Sequence, residues 1–139
     1  MNLLSAPAII SELLHAWRDS YPENPSNRHE EGGYIAINST GELVVSRWPR
    51  GERSRITPPT LASDNRYNGL VVIAAFHTHP NPPIDEAGRE WEQGPSESDR
   101  RWHMRHELQG FVVSRSLIYR IEATGMISVV GKHVEVLSG

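Results

Sequence analysis

The run Leu70-Val71-Val72-Ile73-Ala74-Ala75-Phe76 constrains this chain more than any other segment. It carries no polar side chain, and a strand with one wet face would alternate apolar and polar residues, so residues 70–76 predict a strand covered on both faces. Such a strand needs a packed layer on each side of its sheet. The run leads straight into His77-Thr78-His79-Pro80. Strand side chains alternate with period two, so both histidines project from one face, and Pro80 holds His79 in extended backbone. Two imidazoles on one face at a strand end are what a shared metal ion requires.

The remaining pattern supplies the layers. Ile9, Ile10, Leu13, Leu14 and Trp17 recur at helical spacing, with Ser5 expected as N-cap and Pro7 in the first turn. His15 on this helix reads as a surface or packing residue rather than a ligand. Residues 21–28 form a loop rich in Pro, Asn and Ser, and residues 34–38 and 43–48 read as two strands of a hairpin turning at Gly41. Residues 49–69 show little periodicity and predict a long excursion, either a substrate-side loop or a plain connection. Residues 96–109 read as a helix with Ser96 as N-cap, Asp99 at the third helical position and Gly110 closing it. Residues 111–114, 117–123 and 126–130 then finish the chain as strands. This order predicts an α/β (α+β) fold, a curved, mostly antiparallel mixed sheet flanked by the first helix and the Ser96 helix, in a single domain over residues 1–139.

The chain has no cysteine, which excludes thiolate metal sites, disulfides and a cysteine nucleophile and leaves His, Asp and Glu as metal ligands. The net charge of -3 gives no field for polyphosphates, and Arg47, Arg50, Arg53 and Arg55 read as a solvated loop, so no nucleic-acid partner is expected. Pro7, Ser11 and Glu12 interrupt the N-terminal apolar residues and no later run reaches membrane-spanning length, so no membrane partner and a cytoplasmic location are expected.

A catalytic zinc site takes three protein ligands and keeps one position open. Asp99 is the natural third ligand, because the macrodipole favours a carboxylate at the start of the helix that follows. Ser96-x-x-Asp99 alone is only a capping box, and its place downstream of His-x-His-Pro is what raises it. A hydrolytic site also needs a proton acceptor, and Glu30 or Glu31, at the approach to the first strand, can supply one. Successive strand side chains face opposite ways, so only one of the two can point at the metal.

Glu30-Glu31-Gly32-Gly33-Tyr34-Ile35, then His77-Thr78-His79-Pro80, then Ser96-x-x-Asp99 together resemble the JAMM motif of the JAB/MPN metallopeptidase family, and among its members the short bacterial JAB-like domains. The resemblance implies the JAB/MPN, cytidine-deaminase-like architecture and zinc (Zn2+) bound by His77, His79 and Asp99. It implies Glu30, three residues before Gly33, as the general acid/base, and Ser96 as a group that helps hold the oxyanion. The activity implied is hydrolysis of a peptide or isopeptide bond after the C-terminal glycine of a ubiquitin-like protein, by an enzyme that could form a homodimer. Two other readings of the same motif are a peptidase, toxin or maturation domain of a bacterial conflict system with a different peptide substrate, and a noncatalytic scaffold. Outside the resemblance, two histidines and one carboxylate also compose an iron facial triad.

The 15 residues between Pro80 and Ser96 depart from the family pattern, and this insert, 81–95, is expected to loop out and be mobile, as a lid or as surface elaboration. His103 and His106 share a helix face and are expected near the metal ligands or on the surface, rather than as ligands. His29 could hydrogen-bond near the site, and no partner is evident for His133.

Overall fold

The strand predicted from the apolar run extends past Phe76: in the computed structural model, which describes residues 2–138, one strand carries both histidines. In chain order the strands are β1 (Gly32–Ile37), β2 (Leu43–Arg47), β3 (Arg66–Tyr67), β4 (Leu70–His79), β5 (Gln109–Ser114), β6 (Leu117–Ile121) and β7 (Ile127–Lys132). The helices are α1 (Pro7–Asp19), α2 (Glu97–His106) and α3 (His133–Val136), with a 3-10 turn at Leu3–Ser5. The sheet runs β2-β1-β4-β5-β6-β7, and β3 adds to β4. It is mixed and mostly antiparallel, as expected, because only β4 and β5 run parallel. That one parallel pair demands a long crossover, and the segment containing α2 is the crossover.

β4 is central and covered on both faces. On one side Ile35, Ala74, Phe76, Phe111 and Val113 pack with Ile9, Ile10 and Leu13 of α1. On the other Tyr34, Ala36, Val72 and Ala75 pack with Trp48, Leu108 and Trp102 of α2. Ile35 pairs with Ala74 but Ala36 pairs with Val72, so Ile73 is an extra residue in β4. A bulge of this kind resets which side chains face which way. From it onward Ala75, His77 and His79 face α2, while Phe76 and Thr78 face α1.

Several boundaries differ from expectation. Ser5 is not the N-cap of α1: Ala6 is, without a side-chain bond, because the Ser5 hydroxyl is spent on the Asn2 carbonyl within the 3-10 turn. Pro7 does occupy the first turn. Residues 49–69 are mostly irregular but end in β3, which turns into β4 through Asn68 and Gly69, both at positive φ. That Asn-Gly pair is a two-residue hairpin signal standing plainly in the sequence. Helix α2 stops at His106, not at 109, and Glu107 rather than Gly110 takes the left-handed closing position. The earlier stop lets Leu108 turn into the core, and Gly110 lies inside β5.

Gly110 is where α2 meets the sheet. A Cβ there would overlap His103 Cε1 and the Ala75 carbonyl oxygen, with His103 Nε2 at 2.8 Å. Removing a strand glycine ordinarily gains roughly 0.5–1 kcal/mol, whereas overpacking a core costs typically about 1–3 kcal/mol. Because one obstacle is backbone, the steric cost wins. Gly110→Ala is expected to lower stability by about 2 kcal/mol or more in urea unfolding, and an unchanged midpoint would show that the helix can shift without penalty.

Candidate metal centre

His77 and His79 project together from the end of β4, with ring centroids 4.9 Å apart. Their Nε2 atoms are 3.1 Å apart, and Asp99 Oδ2 lies 3.3 Å from His77 Nε2 and 3.4 Å from His79 Nε2. The capping box delivers Asp99: Ser96 Oγ accepts from the Asp99 N–H at 3.0 Å and Asp99 Oδ2 accepts from the Ser96 N–H at 2.8 Å. The sequence therefore sets the helix start and the carboxylate position with one pattern. Glu30, His77 and His79 also each present a ligand atom, all within 4.8 Å of one another, a group that could hold a metal ion. The two sets share the histidines and differ in the carboxylate, with Asp99 the one paired to both rings.

The electrostatics fit a cation-seeking cluster. Burial is the largest influence on His77 and opposes its charge, yet the Asp99 and Glu30 carboxylates outweigh it and raise its proton affinity. Burial likewise presses Asp99 upward, and His77 and His79 overcome it to hold the carboxyl far below the ordinary range. Glu30 goes the other way: burial dominates over the two histidines and raises its pKa. No donor among the described residues hydrogen-bonds the Glu30 carboxylate, although its backbone is tied to residues 51 and 52. His79 Nδ1 donates to the Gln93 carbonyl at 3.2 Å, which fixes the tautomer with the Nε2 lone pair toward Asp99 and His77.

A cavity of about 360 Å³ opens over these groups. Glu30, Ser96, His77, His79 and Asp99 all line it, with Trp48, Ile56, Pro58, Trp91 and Trp102 as walls. Ser96 Oγ already accepts one bond, and its own proton has no acceptor among the described residues. No family model, curated protein or solved structure matches this chain. The site therefore stands on its own geometry.

Glu31 turns away, as alternation requires, and is not idle. Its carboxylate accepts from Arg47 at 2.6 Å and from the His29 ring, and Arg47 also pairs with Asp19. Arg47 and Arg53 thus correct the expectation of a solvated arginine loop. Arg53 hydrogen-bonds Asn81 and pairs with Asp85, joining the 49–69 segment to the insert, whereas Arg50 and Arg55 are exposed.

The insert 81–95 lies outside the named elements, as expected, and is tied down by its own side chains. The buried Asp85 accepts from the Ala87 and Arg89 N–H groups and from the Trp91 indole, closing a small turn. Glu86 makes a two-pronged pair with Arg28, and Gln93 returns the chain to His79. Nothing in the spacing of these residues announced the Asp85 turn, because two of its donors are backbone N–H groups and a third, Arg53, is distant in sequence.

His103 is buried and lines the cavity, donating from Nδ1 to the Leu108 carbonyl at 2.8 Å. Burial pushes its pKa down to about 4, so it is neutral near pH 7. His106 instead stacks beside Trp102 outside the cavity lining, and His133 donates to the Ser114 carbonyl against Trp17. His15 is exposed.

Proposed function

We propose that the chain is a zinc-dependent amide hydrolase of JAB/MPN type, acting in the cytoplasm on the peptide or isopeptide bond that follows the C-terminal glycine of a ubiquitin-like protein. The observation that carries the chemistry is the convergence of His77 Nε2, His79 Nε2 and Asp99 Oδ2 at 3.1–3.4 Å beside an unpartnered Glu30 carboxylate. Ligand atoms about 2.0–2.1 Å from a tetrahedral zinc stand roughly 3.3 Å apart, so the donor set suits that ion in both size and chemistry. The substrate class rests on the resemblance of the motif.

His77, His79 and Asp99 would hold the zinc ion, which when bound would supply Lewis acidity beside the scissile carbonyl. Glu30 takes the proton of the attacking water and returns it to the leaving amine nitrogen as the C–N bond breaks. Its buried position suits both halves of that task, because burial narrows the gap between its pKa and neutral pH. Ser96 Oγ–H donates to the oxyanion that forms on the carbonyl carbon's oxygen. Trp48, Trp91 and Trp102 give the cavity aromatic walls beside these groups.

One bound zinc per chain is expected by elemental analysis, with cleavage of a ubiquitin-like protein carrying a fluorogenic amide at its terminal glycine. Iron in place of zinc, with oxygen-dependent turnover, would replace this reading with a facial-triad oxygenase. Zinc-loaded protein that leaves both this probe and short peptide amides intact would leave only a binding role.

A further inference from the structure

We infer that Thr78, the residue between the two histidines, is the positioning residue that holds the Glu30 segment in register with the metal ligands. The inference rests on the hydrolase reading above. It starts where β1 leaves the sheet: Gly32 still pairs with His77, but one residue earlier the ladder changes character. There the Thr78 N–H donates to the Glu31 carbonyl at 2.9 Å, while the Glu31 N–H donates to the Thr78 side-chain oxygen at 3.0 Å. The hydroxyl stands in for the backbone carbonyl that would continue the strand pairing.

The proton directions along this chain are determined. The Ser20 hydroxyl donates to the Ala16 carbonyl at 2.8 Å, and a carbonyl can only accept. Ser20 has one proton, so in its 2.7 Å bond with Thr78 it must be the acceptor and Thr78 the donor. The Thr78 oxygen is thereby oriented with a lone pair toward the Glu31 N–H. A single relay, Glu31 N–H to Thr78 to Ser20 to Ala16, connects the base-bearing segment, the histidine strand and the last turn of α1. Thr78 and Ser20 are both fully buried, so water cannot substitute for either hydroxyl.

Glu30 itself has a second tether on its far side, where its N–H donates to the Glu52 carbonyl at 2.8 Å. Residues 51–52 belong to the irregular segment, and on the other side the His29 N–H donates to the Ser20 carbonyl at 3.1 Å, so the sheet's own hold on the Glu30 segment is β4 through Thr78. Thr78 side chain and the two imidazoles leave opposite faces of one strand. The same three residues therefore set the metal ligands and, through the backbone, the base.

The test compares Thr78→Val, which keeps the shape and deletes the hydroxyl, with Thr78→Ser, which keeps the hydroxyl. Zinc content and KM for the fluorogenic amide probe should stay at wild-type values in both. In Thr78→Val, kcat should fall about tenfold, since sub-ångström misplacement of a reacting group has costs of this order, and Thr78→Ser should restore it to within about twofold. Exchange of the Glu31 amide proton should quicken in Thr78→Val and not in Thr78→Ser. Should Thr78→Val fail to fold, Ser20→Ala removes the far end of the relay and should lower kcat in the same direction by about threefold with zinc retained. Unchanged kcat or unchanged Glu31 exchange in the hydroxyl-deleted protein overturns the inference, as does zinc loss in step with activity. A wild-type protein inert toward the probe brings down the hydrolase reading by itself, and the exchange and zinc data still decide the tether.

Discussion

Replacing His77 or Asp99 by Ala is expected to abolish zinc binding and hydrolysis together. Each supplies one of three ligand atoms in a triangle with sides of 3.1, 3.3 and 3.4 Å, and a site reduced to two protein ligands loses affinity by at least about 100-fold. Asp99 needs a second variant, because Oδ2 also accepts the Ser96 N–H and so caps α2. Loss of such a cap costs about 1 kcal/mol, enough to blur a binding measurement but far too little to empty a zinc site. Asp99→Asn keeps an oxygen for the cap and removes the charge that pairs with the two rings. With the cap retained, any loss of melting temperature in the metal-free protein then reports the charge that His77 and His79 stabilise, while zinc should bind far more weakly. Zinc titration against a chelator, with melting of the metal-free proteins alongside, separates the two effects. If Asp99→Ala binds zinc as the wild type does, the third ligand is Glu30, the other carboxylate within reach of both histidines.

The placement of His77, His79 and Asp99 beside one another was legible because each position depends on local rules. His77 and His79 share a face by strand alternation, and Asp99 is placed by a capping box whose residues are adjacent in sequence. The central position of β4 followed from its unbroken apolar run, since only a strand with neighbours and layers on all sides can hide it. What failed to show were features made between distant segments. Arg47 finds Glu31 across β1 and β2, and Arg53 finds Asp85 across two loops, and no local pattern tells such an arginine from a solvated one. The bulge at Ile73 is equally silent, because every residue from Leu70 to Phe76 is apolar and a shift by one leaves the pattern looking the same. Yet that bulge sets which core each later residue of β4 joins. The early end of α2 has the same origin: Glu107 is a disfavoured residue at a left-handed cap and gives no stop signal, and the stop accompanies the burial of Leu108.

Glu30→Gln should separate proton transfer from metal binding. The amide has the carboxylate's shape, so the cavity and the three-ligand triangle are undisturbed, but it cannot take a proton from water and pass it to a leaving amine. Hydrolysis is therefore expected to fall by about 10²-fold or more, in the range that general acid–base catalysis contributes, while zinc remains at one per chain. Retained zinc also excludes Glu30 as an indispensable ligand. Glu31→Gln sharpens the comparison, although it is no longer a silent control. Its carboxylate lies on the opposite side, paired with Arg47 and the His29 ring, so losing the charge weakens a partly buried ion pair and should cost about 1–3 kcal/mol of stability. At a temperature where both variants are folded, Glu31→Gln should retain most of the activity and Glu30→Gln almost none. The reverse pattern would mean that the Glu31 network, not the carboxylate in the cavity, carries the proton. Normal turnover in both would remove a glutamate base from the mechanism, and His103, the remaining neutral acceptor lining the cavity, would be the group to change next.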